Sequence, residues 1–207
     1  MAMIEVNLQR LDEFCDVWLE RATAVAQPSI ENIFDQFFIL WVVFNRIYAE
    51  SARVLAAEGH SSARMFAFSQ GGKRKFAPPP DRIAATRGVE AFCGVSELNR
   101  RLYEHEESAQ AIETVLSVVE SGMLYLHENY ETGEPDFKRD RKLVAAARNG
   151  KPSALLELLY QARCNLFHGQ KAYSESQRPL LEGMVIVLRI VIDASRSKLR
   201  EQYGVGA

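Results

Sequence analysis

The chain lacks most of what marks a stapled, membrane-bound or nucleic-acid-coating protein. Cysteine is scarce: Cys15, Cys93 and Cys164 are far apart, odd in number and form no CxxC pair, which argues against a disulfide framework or a structural zinc site. Long apolar runs are missing too. The longest, Phe37 to Phe44, has eight residues, too few to cross a bilayer. Met1 to Arg10 does not read as a basic-then-apolar export signal, so a cytoplasmic location and no membrane partner are expected. Neither sign of charge dominates: 25 Lys and Arg face 27 Asp and Glu, for a net charge of −2. A global electrostatic grip on nucleic acid is not supported, although a local basic patch is compatible with that balance.

Familiar site signatures are absent as well. The sequence has no GxxxxGK[ST] loop, no GxGxxG after a strand, no HExxH and no GxSxG elbow. The four histidines, His60, His105, His127 and His168, are scattered. No cofactor and no metal site is expected from these residues.

What is present fits one soluble domain spanning residues 1–207, 47% hydrophobic and 25% charged. Apolar residues recur at helical spacing over Val6 to Ala24, through Leu8, Leu11, Phe14, Cys15, Trp18 and Leu19. Ser29 is placed to N-cap a long helix reaching Ala57. Its apolar residues cover more than one face, which suits a central helix. Trp41 and Phe44 read as core, and Asn45 as a polar residue with a structural role inside it. Gly59 to Asp81, with Gly71-Gly72, Lys73-Arg74-Lys75 and Pro78-Pro79-Pro80, reads as a long irregular loop. Short helices are expected near Ile83–Glu90 and Ser96–Tyr103, and a longer one from Glu107 to His127. The polar cluster Tyr125 to Tyr130 then reads as a helix end. A helical segment starts at Lys138-Arg139-Asp140-Arg141-Lys142. Ser153 is expected to cap a helix through Phe167, and Pro179 to open a last helix to about Gln202. The fold class read from this pattern is all-α, with a long irregular insertion after the second helix.

One segment invites chemistry: Tyr160-Gln161-Ala162-Arg163-Cys164-Asn165-Leu166-Phe167-His168-Gly169-Gln170-Lys171. Arg and His with four to six residues between them mean little alone, because about one such pair is expected by chance and the chain has three: Arg53/His60, Arg100/His105 and Arg163/His168. Context separates them. Arg163 sits on a good amphipathic helix, and His168 stands at its exit before Gly169, a natural terminating residue. Imidazolium is favoured at the negative end of a helix, although His is also an ordinary last-turn residue. Cys164 reads as buried and inert.

The string YQARCNLFHGQK resembles the R-x4-6-H region of HEPN domains, in particular the bacterial Apea-like, abortive-infection-like branch. Phe37 to Tyr48, FFILWVVFNRIY, resembles the W-x-x-F-N-x-x-Y helix found early in such proteins. The resemblance implies a HEPN-like helical bundle that forms a homodimer and brings two R…H motifs together. It implies a metal-independent endoribonuclease of toxin or antiviral-defence type. Arg163 and His168 would then be the catalytic residues, with Asn165 as the supporting polar residue, one place later than in many members. RNA or a nucleotide would be the ligand, gripped locally by Lys171, Arg139, Arg141 and Lys142. An antitoxin or a nucleotidyltransferase-like partner would be a separate chain. Two other readings stay open: a non-catalytic HEPN module binding nucleotide or a partner, and a helical adaptor whose Arg/His pair is structural.

Overall fold

A computed structural model describes residues 6–25, 29–61, 67–70, 73–76, 79–167 and 174–204. Among these the regular elements are helices except for one short hairpin, and a non-helical stretch over 121–136 carries an isolated bridge between Glu128 and Pro135. Helix α1 (Leu8–Ala24) begins where the Asn7 side chain accepts the Arg10 amide. Helix α2 (Ile30–Ala57) begins at Ser29, whose hydroxyl accepts the Asn32 amide at 3.2 Å. This is the N-cap that the sequence predicts. Phe37, Leu40, Trp41, Phe44, Ile47 and Tyr48 of α2 are all buried. Asn45 is exposed, contrary to expectation. The buried polar residues of this helix are instead Glu50, which accepts from Arg46 and Arg53 one turn to either side, and Ser51, which donates to the Ile47 carbonyl.

The insertion after α2 is less irregular than its composition suggests. Strands β1 (Ala67–Gln70) and β2 (Lys73–Phe76) pair antiparallel, with Gln70 opposite Lys73. The intervening Gly71-Gly72 is a two-residue hairpin signal that the basic and proline-rich surroundings obscure. Next comes a helical stretch that changes pitch: α3 (Asp81–Ile83), a wider π turn over Ala84–Gly88, and α4 (Val89–Cys93).

Helices α5 (Val95–Leu102) and α6 (Glu106–Glu120) follow. The apolar period that suggests a helix to His127 stops short, because the chain turns at Ser121-Gly122, with Gly122 at φ +75°. A buried carboxylate takes over from helical hydrogen bonding beyond this turn. Asp140 accepts the Leu126 amide at 2.8 Å and the His127 amide at 3.4 Å, and pairs with His127 Nδ1 at 2.6 Å. Far from being a polar tip, His127 is 1% exposed.

Asp140 belongs to α7 (Phe137–Arg148), which is N-capped by Asp136. Helix α8 (Pro152–Phe167) starts one residue before the expected cap. Ser153 therefore lies inside the first turn, and its amide is satisfied from afar by Glu90 Oε2 at 2.6 Å. Helix α9 (Arg178–Tyr203) opens with Pro179 in its first turn. It is a helix despite the β-branched run MVIVLRIVI, because it packs between α2 and α6 and buries Val185, Val187, Leu188, Val191 and Ile192. Each such side chain taken from water contributes about 1.5–3 kcal/mol, which outweighs a propensity deficit of a few tenths per residue.

Helix α1 lies on α2, α7 pairs with α8, and the π turn packs against both α2 and α8. Polar ties close the bundle. Arg196 of α9 bonds Asp12 and Asp16 of α1 at 2.7 and 2.8 Å, and Arg101 of α5 reaches Asp193 of α9 at 2.7 Å. No helix among the described residues is long and apolar enough to cross a membrane.

Candidate functional site around helix α8

Residues 152–159 of α8 are buried on every side, so the first half of this helix runs through the interior. Polar character returns at its C-terminal end, where the candidate residues stand. Arg163 is half-buried, and its guanidinium carbon lies 5.8 Å from the centre of the Trp41 ring, within range of a cation–π attraction. Trp41 is held edge-on by Phe44 at 5.3 Å and by Tyr160, one turn before Arg163, at 6.0 Å. The aromatic spacing 37, 41, 44, 48 along α2 makes one stripe, and Phe44 meets Tyr48 at 5.3 Å. The W-x-x-F helix and the Arg-bearing helix, more than a hundred residues apart in sequence, are thus in contact.

Electrostatics around Arg163 follow from burial. Burial first, then the Asp81 carboxylate, pushes the Tyr48 phenol well above its ordinary range. Burial also raises the Tyr160 phenol. Arg163 acts in the opposite sense on both. The two phenols therefore stay protonated near neutral pH, beside a permanent cation.

Asn165 is 5% exposed. Its amide nitrogen donates to the Leu126 carbonyl at 2.8 Å, and its oxygen accepts from Gln161 at 2.9 Å. Leu126 is also held through its amide by Asp140. A continuous polar chain therefore runs from α7 through the 126–127 segment to α8, which it reaches at Asn165, two residues on from Arg163. Its members Asp140 and His127 carry no motif in the sequence; their burial arises only when three segments meet. Cys164 is half-buried rather than buried, with Cys15 and Cys93 in the core. His168 and Lys171 lie outside the described residues.

Near the other end of α8 is a basic cleft of about 360 Å³. Arg139 and Lys142 line it, together with Arg82, Arg87, Lys151 and Glu157. Arg141, expected beside them, is exposed and does not line the cleft, since two residues on from Arg139 is about 200° round a helix. Sequence reasoning passes over Arg82, Arg87 and Lys151 because no charge run links them. Among the described residues no cluster of His, Cys, Asp and Glu is suited to a metal ion.

These features define a predominantly α-helical protein with an arginine–aromatic niche and a basic cleft on one helix. In comparisons with known proteins, no family model, no curated protein and no solved structure matches the chain.

Proposed function

We propose that the protein is a metal-independent endoribonuclease of HEPN type, working as a homodimer in a toxin or antiviral-defence setting. The observation that carries this reading is the meeting of its two HEPN-like segments, with Arg163 of α8 set against Trp41 of α2. An aromatic wall and neighbouring protonated phenols hold that guanidinium in a partly desolvated place, where a fixed charge acts strongly on a developing one.

The chemistry assigns a task to each group. The ribose 2′-hydroxyl attacks the adjacent phosphorus, the bond to the 5′-oxygen breaks, and a 2′,3′-cyclic phosphate and a 5′-hydroxyl result. A base must take the 2′ proton and an acid must protonate the leaving oxygen. One R…H motif supplies one imidazole, so His168 and the partner's His168 share the two roles. Arg163 stabilises charge on the phosphoryl oxygens in the transition state through its planar, bidentate donors. Asn165 serves as a positioning residue that anchors the end of α8 to Leu126.

The test is incubation of the purified protein with mixed RNA in the presence of a chelator, following fragments and their end groups. Wild-type protein is expected to cleave and leave cyclic-phosphate ends. His168→Ala is expected to lower the rate about 10²–10⁴-fold. Arg163→Lys is expected to lower it about 100-fold or more while the protein stays folded, because an ammonium cannot reproduce the fork. The packing of Arg163 on Trp41 favours one other reading, a helical adaptor in which the arginine is structural. On that reading no RNA is cleaved, and Arg163→Lys instead lowers thermal stability.

A further inference from the structure

No single run of the sequence holds the five basic residues that the fold gathers around one cleft: Arg139 and Lys142 belong to the run Lys138 to Lys142, while Arg82, Arg87 and Lys151 stand apart from it. Arg82 and Arg87 come from the α3–π segment, Arg139 and Lys142 from α7, and Lys151 from the turn before α8. Two local geometries bring them together. On α7, Arg139, Lys142, Leu143 and Ala146 share one stripe at i, i+3, i+4 and i+7, beside the buried stripe Asp140, Val144 and Ala147. In an α-helix, Arg82 and Arg87 would stand about 140° apart. The π turn over Ala84–Gly88 closes its hydrogen bonds at i to i+5 and swings Arg87 back over Arg82, so that both line the cleft.

The charges there are unevenly matched. Glu157, with a side chain 11% exposed, pairs with both Arg82 and Arg139. Among the described residues it is the single carboxylate lining the cleft, and it ties two guanidiniums to the wall. Arg87, Lys142 and Lys151 have no carboxylate partner among the described residues, whereas Arg100, Arg101, Arg148, Arg178 and Arg200 are all ion-paired at the surface. Unpaired cations held close together repel one another, and a polyanion between them relieves that repulsion.

The floor is aliphatic, with Leu143, Ala146 and Ala154, and among the described residues no aromatic ring lines the cleft. Bases stack on aromatic faces, and none is offered here; phosphates are what Arg and Lys in this number recognise. The Ser153 amide is already taken by Glu90, so side-chain cations supply the attraction. Position matters as well. Glu157 and Arg163 are six residues apart on α8, about 9 Å along its axis. Asp81, whose field reaches Tyr48 and Tyr160 beside Arg163, is the neighbour of Arg82.

We propose that this cleft binds the phosphate backbone of single-stranded RNA and leads the strand to Arg163. The inference rests on the ribonuclease reading for its choice of RNA, but it concerns binding rather than cleavage. The cleft reads phosphate and sugar without touching base edges, so it confers affinity that is strongly salt-dependent and nearly independent of sequence.

The experiment is fluorescence anisotropy with a labelled, 2′-O-methylated oligouridylate, which lacks the attacking hydroxyl and cannot be cut. Wild-type protein, Arg87→Gln/Lys142→Gln and Arg141→Gln are compared over a salt series, each checked by circular dichroism. The cleft variant is expected to bind about tenfold more weakly, with a log K against log salt slope shallower by about 0.7 for each phosphate it no longer neutralises. Arg141→Gln is expected to keep wild-type affinity. Equal weakening by Arg141→Gln, or full affinity in the cleft variant, overturns the proposal. So does a cleft that takes inorganic tripolyphosphate but not the oligonucleotide, since its ligand is then a free oligophosphate. RNA held in the cleft but never cleaved in the unmethylated form leaves this proposal standing and removes the ribonuclease reading. Cleavage with full RNA affinity in the cleft variant does the reverse.

Discussion

Asn165 and Asp140 show how much a buried polar side chain can carry. Asn165 satisfies the Leu126 carbonyl and Gln161 at once. Asn165→Ala leaves that carbonyl without its donor in the interior, at a cost of about 1–3 kcal/mol. The expected result is a lower urea midpoint; unchanged stability would detach Asn165 from this role. Asp140 is 0% exposed and accepts three donors. Asp140→Ala leaves all three unsatisfied and breaks a buried pair, with an expected loss of about 3–5 kcal/mol by chemical denaturation. Asn165 is visible in the sequence through its place between Arg163 and His168. Asp140 is hidden, because it sits within the run Lys138 to Lys142 and reads as part of a solvated helix face. Its burial stripe with Val144 and Ala147 is thin in apolar residues, so periodicity gives it little weight.

At the level of elements, the close approach of α6 and α9 depends on Gly183. A Cβ there would come within 2.5 Å of Val115 Cγ2 and 2.8 Å of the Ala111 carbonyl oxygen. Gly183→Ala gains about 1 kcal/mol of helix propensity, but a backbone oxygen cannot rotate aside, and overpacking costs about 1–3 kcal/mol. The variant is expected to melt lower than wild type; a melting point equal or higher would mean that the helices are not this close. Helix starts are the elements' most legible feature. Ser29 and Pro179 do what their chemistry predicts. Helix ends are harder to read, as α6 shows. The apolar spacing continues through Val119, Met123 and Leu126, yet Gly122 turns the chain, and Leu126 is buried from an extended segment instead. The observed turn keeps Leu126 buried but leaves Met123 exposed, and Asp140, distant in sequence, holds the Leu126 and His127 amides that the helix no longer satisfies.

Over the whole molecule, the first and last helices are joined through Asp12, which bonds Arg196 at 2.7 Å and Arg200 at 2.9 Å. Burial pushes the Asp12 carboxyl up, but the hydrogen bonds from Arg200 and Arg196 outweigh it and leave the carboxyl below its ordinary value of 3.8. A group depressed in the folded state stabilises it above the unfolded value, and that contribution fades as pH falls through the folded value. Asp12→Asn is therefore expected to be less stable than wild type near pH 7. The gap should narrow below about pH 3.8 and close in stronger acid, as read from urea midpoints over a pH series. A gap that is constant with pH would show that the α1–α9 tie does not depend on this charge.

The helical class, the order of the long helices, two helix starts and the candidate pair Arg163/His168 are all written in the amino-acid order. Such features are local: apolar period, capping chemistry and motif residues act over a few positions of chain. That Arg163 rests on Trp41, that His127 and Asp140 are buried together, and that Arg82, Arg87, Arg139, Lys142 and Lys151 share one cleft are outcomes of folding. Each joins segments that lie far apart along the chain and become neighbours only when the bundle closes. The cleft also needs a change of helical pitch, at Ala84–Gly88, that the sequence AATRG does not announce.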